Sequence, residues 1–455
     1  MQNIFPMQRG HRRAARPGRT ILLGFLFVIL FGACLLHLPI AARDHGATAF
    51  VDCLFTATSA TCVTGLVVVD TWQHWTVFGQ VVVLCLIQIG GLGVMSVTAL
   101  VSFFMGRTIT VRERLEMSAS LSLDDISGIV RLMREVMLFT AAIELAGTAL
   151  LSIRFIPQFG IAEGLWKAFF HAVSAFCNAG FDLMGQREAF SNLSDYAQDP
   201  LVNLVIIALI VMGGLGFLVW RDLHANRKWN RLSVHTRLVL IMTALLLIGG
   251  TLVIFILEYS NPQTLGNMPV GHRVLASLFQ ATTCRTAGFN TIDQGALRSG
   301  TAVVCILLMF VGGSSGSTAG GIKTTSVAVL ILAAWSVLRS RRDITVFHRR
   351  IEERLVLQAV ALVMAALSLI LMGSFILYTA DNVSVGRALY ETVSAFSTTG
   401  LSQNLTPTLG VVSKCWLILE MYLGRIGILT LGAAVFTRRI FEPKIRYPES
   451  KVIVG

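Results

Sequence analysis

The sequence predicts an all-α membrane protein, eight transmembrane helices built as four related repeats around a pseudo-fourfold axis. Three observations predict it. Hydrophobic residues make up 54% of the 455 residues, charged residues only 14%, and mean hydropathy is +0.71. A soluble domain carries roughly 25% charged residues, so this chain cannot cover a water-facing surface of its size. Apolar runs of roughly 20 residues, the length that crosses a bilayer, recur along the whole chain. The segments between alternate runs also resemble one another at nearly constant spacing. The same composition excludes a disordered or fibrous chain. The net charge of +12 does not mark a nucleic-acid binder, because the basic residues sit in short segments between apolar runs.

The chain opens on a basic tail, 1–20. The spans follow at 21–40, 77–105, 136–156, 201–220, 238–257, 301–338, 355–378 and 412–436. The first is too long for the apolar region of a signal peptide and reads as retained. The middle of 301–338 runs Gly-Gly-Ser-Ser-Gly-Ser-Thr-Ala-Gly-Gly from Gly312 to Gly321. Glycine costs a helix interior about 1 kcal/mol relative to alanine, so this span is expected to break over 312–323. The repeats are therefore 21–105, 136–220, 238–338 and 355–437, joined by linkers 106–135, 221–237 and 339–354 and followed by a tail, 438–455. Twenty-six of the 37 Lys and Arg residues fall in the tails and linkers, nine in the alternate segments, and Lys323 and Arg425 inside spans. Cytoplasmic loops carry the excess of Lys and Arg, which puts both termini inside, as an even number of spans requires. Eight cysteines without a CxxC pair read as small buried apolar groups, not as a disulfide framework or zinc site.

The four segments expected outside share one pattern. Each opens on an apolar stretch too short to cross a bilayer and then reaches a glycine. The ten residues ending there are TATSATCVTG, HAVSAFCNAG, FQATTCRTAG and ETVSAFSTTG, closing on Gly65, Gly180, Gly288 and Gly400, with spacings of 115, 108 and 112 residues. A second mark recurs in the helix that follows: Gly90-Gly91-Leu92-Gly93, Gly213-Gly214-Leu215-Gly216, Gly312-Gly313 and Gly424-Arg425-Ile426-Gly427. The unit is long helix, short pore helix, glycine turn, long helix. Irregular backbone at membrane depth must be buried in protein or line water, so four such turns are expected to meet on one axis. Glycine tolerates positive φ and can turn successive carbonyls toward one point. Rings of carbonyls replace the hydration shell of a monovalent cation, and the negative C-terminal ends of short helices favour one. The three residues ending at each glycine are thus the candidate ion-binding set, through backbone oxygens: Val63, Thr64 and Gly65; Asn178, Ala179 and Gly180; Thr286, Ala287 and Gly288; Thr398, Thr399 and Gly400.

These four segments, with GGSSGSTAGGIKTT (312–325) and MYLGRIG (421–427), resemble the Trk/Ktr/HKT superfamily of cation transporters, closest to the membrane subunits of bacterial Ktr potassium uptake systems. The likeness runs from residue 21 to the C-terminus. Trk-type subunits carry two further helices before the first repeat, which are not seen here. The resemblance implies potassium as the transported ion, a filter at the four glycines of helix–pore helix–filter–helix repeats, a homodimer in the bacterial plasma membrane, and a cytoplasmic KtrA-type ring beneath it. Nucleotide is expected on that partner alone and no cofactor in this chain; sodium dependence stays open. In the superfamily a serine at the first filter position goes with sodium, so Gly65 favours potassium.

The resemblance also implies that the glycine-rich stretch gates the filter, through Gly312, Gly313, Ser314, Gly316, Ser317, Thr318, Gly320, Gly321 and Lys323, with Arg425 as an electrostatic barrier that touches it. A phosphate-binding loop is the competing reading of this stretch, but Ile322 separates Gly321 from Lys323 where that motif needs them adjacent. Each buried cation costs about 2.5–3.5 kcal/mol on insertion scales. Arg425 is expected mid-span, Lys323 near a helix end where it can snorkel. Arg285 is expected behind the third turn with Glu391 as its partner, Glu144 is expected to bind a neighbouring helix, and Asp70 and Asp182 are expected to line an outer vestibule. Basic linkers offer surface to a partner or to anionic lipid. The apolar ending 452–455 is expected at the dimer interface. No paired acids or nucleophile–base spacing suggests an enzyme. A less selective sodium/potassium pathway and a receptor without a pore remain the alternatives.

Overall fold

A computed structural model describes residues 17–93, 129–341 and 343–427. Residues 1–16 of the basic N-terminal tail, the ends of the second and last predicted spans, most of linker 106–135 and the C-terminal tail with its apolar ending lie outside these residues.

In the first repeat a long helix α1 (Pro17–Leu36) leads to the short helix α2 (Phe50–Thr61) and then to α3 (Val77–Leu92). The second runs α4 (Ile129–Phe159), α5 (Ile161–Phe176) and α6 (Pro200–Leu215), continued by α7 (Phe217–Ala225). The third runs α8 (Val234–Glu258), α9 (Val270–Thr283) and α10 (Ser299–Phe310), and after an irregular stretch α11 (Thr324–Leu338). A two-residue hairpin, β1 (Thr345–Val346) with β2 (Arg349–Arg350), turns through Phe347 and His348 at positive φ, the geometry that suits a right-twisted ribbon. The fourth repeat runs α12 (Glu353–Asp381), α13 (Val385–Ser397) and α14 (Val411–Ile426).

The packing follows the repeat. Each first helix lies against its own short helix, α1 on α2, α4 on α5, α8 on α9 and α12 on α13. Each third helix lies against the short helix of the next repeat, α3 on α5, α6 on α9, α10 on α13, and α14 returns to α2. The order is therefore cyclic and closed. Large apolar side chains such as Phe27, Leu145, Ile248, Leu371 and Phe375 face outward, while Thr, Ser and Gln side chains of the short helices are buried. That inversion suits a hydrocarbon surround.

The second glycine mark explains how the third helices approach so closely. A β-carbon on Gly90, Gly213 or Gly424 would overlap the carbonyl oxygen of Thr61, Phe176 or Phe396, the last turn of a short helix. The mark also ends the helix. Continuous spans were expected over 77–105, 201–220 and 412–436, yet α3, α6 and α14 stop at Leu92, Leu215 and Ile426. Gly93, Gly216 and Gly427 follow with φ of 85°, 92° and 89°, a left-handed backbone that cannot propagate a right-handed helix. After Gly216 the chain bends by 90° into α7. The break in the third repeat is thus one case of a general interruption. Four helices among the described residues are long and apolar enough to cross a bilayer alone, five if the bent pair counts as one.

At the end of α8, Glu258 is fully buried and pins the repeat. Its carboxylate accepts from Thr264 Oγ1 at 2.7 Å, Asn261 Nδ2 at 2.6 Å, Thr301 Oγ1, and the backbone N–H of Arg298 at 2.9 Å, where α10 begins. Removing one partner of such a cluster strands the others. Glu258→Ala should lower stability by about 3 kcal/mol, read as a lower thermal midpoint in detergent micelles; an unchanged midpoint would contradict this role.

Candidate functional site

The four glycine turns share one backbone. Gly65, Gly180, Gly288 and Gly400 have φ of 92°, 71°, 78° and 89°, and the residue two before each, Val63, Asn178, Thr286 or Thr398, has φ of 57°, 60°, 64° or 53°. Three of those four are β-branched, which the left-handed region penalises strongly. Such strain persists only where the surroundings over-determine it, and it clusters at functional sites. Alternating left-handed residues carry successive carbonyls to one side instead of to opposite sides.

The turns also meet. A β-carbon on Gly65 would lie 3.1 Å from Cα of Gly180, one on Gly180 2.8 Å from Gly288, one on Gly288 3.3 Å from Gly400, and one on Gly400 2.8 Å from Gly65. The oxygens nearest those positions are the carbonyls of Ala179, Ala287, Thr399 and Thr64, one from each turn. Gly65, Gly180, Gly288 and Gly400 therefore form a closed ring in which a side chain at any one would strike its neighbour's backbone.

Each turn is braced by its own short helix. The N–H of Thr64, Ala179 and Thr399 donates to the carbonyl five residues back, on Ser59, Ser174 and Ser394, at 2.7–2.8 Å. In the third turn the N–H of Ala287 reaches only four back, to Thr283. Hydroxyls add to this: Ser59 accepts from the Gly65 N–H, and Ser174 donates to the Phe181 carbonyl.

A cavity of about 740 Å³ opens on the side of the glycines and the residues after them. Gly65, Gly180, Gly288 and Gly400 line its floor; its walls carry Asp70, Asp182, Glu188, Asp195 and Asp293 against a single basic residue, Arg187. Asp70 is committed to the wall, accepting from the N–H groups of Trp72, Gln73 and Phe190. Asp182 accepts from the Met184 N–H through one oxygen. A wall of that charge concentrates cations.

The opposite ends of the turns meet the irregular stretch 311–323. Ser314 donates from its N–H and hydroxyl to Gly214, and from its hydroxyl to Leu215, at 2.6–3.1 Å. Gly316 accepts from the Phe217 N–H, and Thr318 donates to the Gly213 and Phe176 carbonyls. Gly320 abuts the Thr398 hydroxyl and Gly321 the Ser397 backbone. The stretch thus crosses from the end of α6 to the fourth turn. Gly313 packs on Ala319 and Ser317, and Gly312 on Gly320, so the loop folds on itself.

Arg425 reaches this loop. It donates to the carbonyl of Thr318 and, from the other side, to those of Gly90 and Gly91 at the end of α3. It occupies the last turn of α14, which Gly427 ends; the rest of the span in which it was expected, 428–436, lies outside the described residues. Lys323 caps α11 and its ammonium donates to the Ala319 carbonyl at 2.7 Å, back into the loop and not out to a membrane face.

Glu144 meets its expectation of a neighbouring helix, accepting from Gln88 of α3 at 3.3 Å and lying 3.9 Å from the Cys177 sulfur. The pairing expected between Arg285 and Glu391 is absent. Glu391 accepts from Thr406, and Arg285 makes no ion pair among the described residues. A residue three before the glycine lies behind its turn, whereas Glu391 sits nine before its own, two helical turns away.

Two features were invisible in the chain. Lys414 of α14 donates to Asp52 of α2 at 2.7 Å, joining the last repeat to the first across 362 residues. Lys167 of α5 is fully buried, 3.2 Å from Glu163, its ammonium over the rings of Phe159 and Trp72. An acid in the first turn of one short helix and a lone lysine in a distant helix gave the only hint of the former.

Comparison with known proteins agrees over nearly the whole chain. The family described as TrkH, a cation transport protein, matches residues 27–444. The Ktr system potassium uptake protein B of Bacillus subtilis is 42% identical over 440 residues, covering 96% of this chain and 97% of that protein. The potassium/sodium uptake protein NtpJ of Enterococcus hirae is 37% identical over 454 residues, covering 99% of each. The crystal structure of the potassium transporter TrkH from Vibrio parahaemolyticus shares the fold, with a TM-score of 0.75 over 94% of this chain and 86% of that one at 17% identity.

The Asp52–Lys414 pair is only part-exposed, at 22% and 14%. A double-mutant cycle of Asp52→Asn and Lys414→Met should return a coupling of about 1 kcal/mol in thermal unfolding; additive effects would mean the contact does not close the ring.

Proposed function

The chain belongs to the TrkH family of cation transport proteins, multi-pass helical membrane proteins and not enzymes, and on that premise we propose that it is the potassium-translocating subunit of a Ktr-type uptake system. The observation that carries the proposal is the closed ring of four strained turns at the floor of an acidic cavity.

Potassium gathers in the cavity, where carboxylates outnumber the one arginine. At the ring it exchanges water for backbone oxygens of Val63 to Gly65 and the three matching segments. The short helices α2, α5, α9 and α13 end just before the turns, so their negative poles add to the attraction. An inside-negative potential of about 100 mV contributes about 2.3 kcal/mol per charge, sufficient to accumulate the ion. Eight spans, counting each interrupted third helix as one crossing, bring both termini to the cytoplasm.

The loop 311–323 is the gate in this reading. It lies across the inner ends of the turns and is held there by hydrogen bonds to backbone carbonyls. Arg425 fastens it to α3 and places positive charge on the exit. Regulation is assigned to a nucleotide-binding ring on the cytoplasmic side of a dimer of this chain. A second reading, a less selective potassium/sodium pathway, is supported by the name of the Enterococcus relative and by the single glycine per turn.

Rubidium uptake into proteoliposomes tests both parts. Gly400→Ala places a β-carbon against Gly65 at a left-handed residue, and should cut uptake by more than about tenfold while lowering discrimination against sodium. Arg425→Gln removes the strap from Thr318, and should raise maximal uptake severalfold at unchanged half-saturation. Wild-type flux and selectivity in the first variant would remove the ring from the ion path; wild-type flux in the second would remove Arg425 from the gate.

A further inference from the structure

Arg285 is the one charged side chain at the turns that the account above leaves without a task. It sits three residues before Gly288 and is 6% exposed, and its side chain makes no hydrogen bond or ion pair among the described residues. Its Nε is wholly enclosed without an acceptor. A buried arginine is normally paired or bonded to backbone oxygens. Arg425, the other arginine beside the loop, holds three such oxygens.

The surroundings of Arg285 are specific. It borders a small void of about 10 Å³ together with Ile210, Val211 and Gly214 of α6, Leu247 of α8, and Gly313 of the loop. That volume admits about one water molecule. Thr282, also on the wall, has already given its hydroxyl to the Leu278 carbonyl at 2.7 Å. The residues within reach are therefore apolar side chains and the backbone of two irregular places, the end of α6 and the start of the loop. The third turn is also wound differently from the others, its N–H reaching four residues back instead of five.

The loop consequently lies between two guanidinium groups. One is fully engaged with it, through Thr318; the other abuts its leading edge at Gly313 with nothing to bind. Resting on the reading of the loop as the gate, we infer that Arg285 is the second anchor of the loop. When the loop releases the Thr318 contact, a backbone carbonyl of its leading edge, Gly312 to Ser314, enters the void and accepts from Arg285. The ordering of the two anchors is fixed by geometry. Arg425 is tied to the α3 side by Gly90 and Gly91, whereas Arg285 stands on the side of α6 and α8. Arg285 is then a positioning residue for the conducting state, and its cost in the present state biases the loop toward leaving.

The test is a rubidium flux measurement on full-length protein in proteoliposomes, with the loop intact and with its leading edge, residues 312–314, deleted. In the intact background Arg285→Gln should lower the maximal rate by about tenfold, the scale of a coupling between two sites, with half-saturating rubidium and potassium/sodium preference unchanged. Arg285→Lys, which keeps one donor, should fall between. In the shortened background both variants should match their parent, because there is no leading edge left to hold. A wild-type rate for Arg285→Gln with the loop intact overturns the inference. So does an equal loss in both backgrounds, or a shift in ion preference, since either would make Arg285 a brace of the third turn. If Arg285→Gln fails to fold, Arg285→Lys decides by the same comparison. Absence of rubidium flux in the unmodified protein would instead overturn the function on which the inference rests.

Discussion

Lipid offers no hydrogen-bond partner to a peptide group, and the organisation of this protein follows from that constraint. The chain interrupts its apolar helices with non-helical backbone four times over at the glycine turns, and again at Gly93, Gly216, 311–323 and Gly427. Each of these segments has to be enclosed by protein. The closed cyclic packing provides the enclosure, with every third helix covering the short helix of the next repeat and α14 covering α2. The glycines of the second mark make this contact close enough, because a β-carbon there would strike the carbonyl it covers. Ring, cavity and loop are all framed by the same packing between neighbouring repeats.

The polar interior shows two kinds of design. Glu258 is saturated with donors and behaves as a fixed peg. The groups around the loop are not saturated in this way. Arg425 is shared between loop and helix, Lys323 folds back onto the loop, and Arg285 has no partner among the described residues. A fixed scaffold holding an exchangeable segment is what a gate requires, since the two positions of such a segment must differ by only a few kcal/mol.

Much of this was legible in the chain because it depends on glycine and on length. The four turns are marked by Gly65, Gly180, Gly288 and Gly400 at near-constant spacing, and the apolar runs locate the four long helices, the second of which begins seven residues earlier, at Ile129 and not at Val136. The interruptions at Gly93, Gly216 and Gly427 were not foreseen, although their glycines had been noticed. An apolar composition reads the same whether a helix continues or turns, and one glycine has several uses. Charged pairs were the least legible. Asp52 and Lys414 are far apart in sequence, and the partner proposed for Arg285 failed because residues three and nine before a turn stand at different heights on a short helix. A pairing between distant elements follows from the angle at which helices pack, which composition does not carry.

In the proposed function the oxygens of the four turns replace the water of a potassium ion. Anomalous scattering from crystals soaked in thallium, a potassium surrogate, tests it most directly. The account predicts a peak inside the ring of Gly65, Gly180, Gly288 and Gly400, within bonding distance of the carbonyls of Thr64, Ala179, Ala287 and Thr399 and displaced by added potassium. Peaks confined to the acidic cavity or to the cytoplasmic side, with the ring empty at saturating thallium, would contradict it.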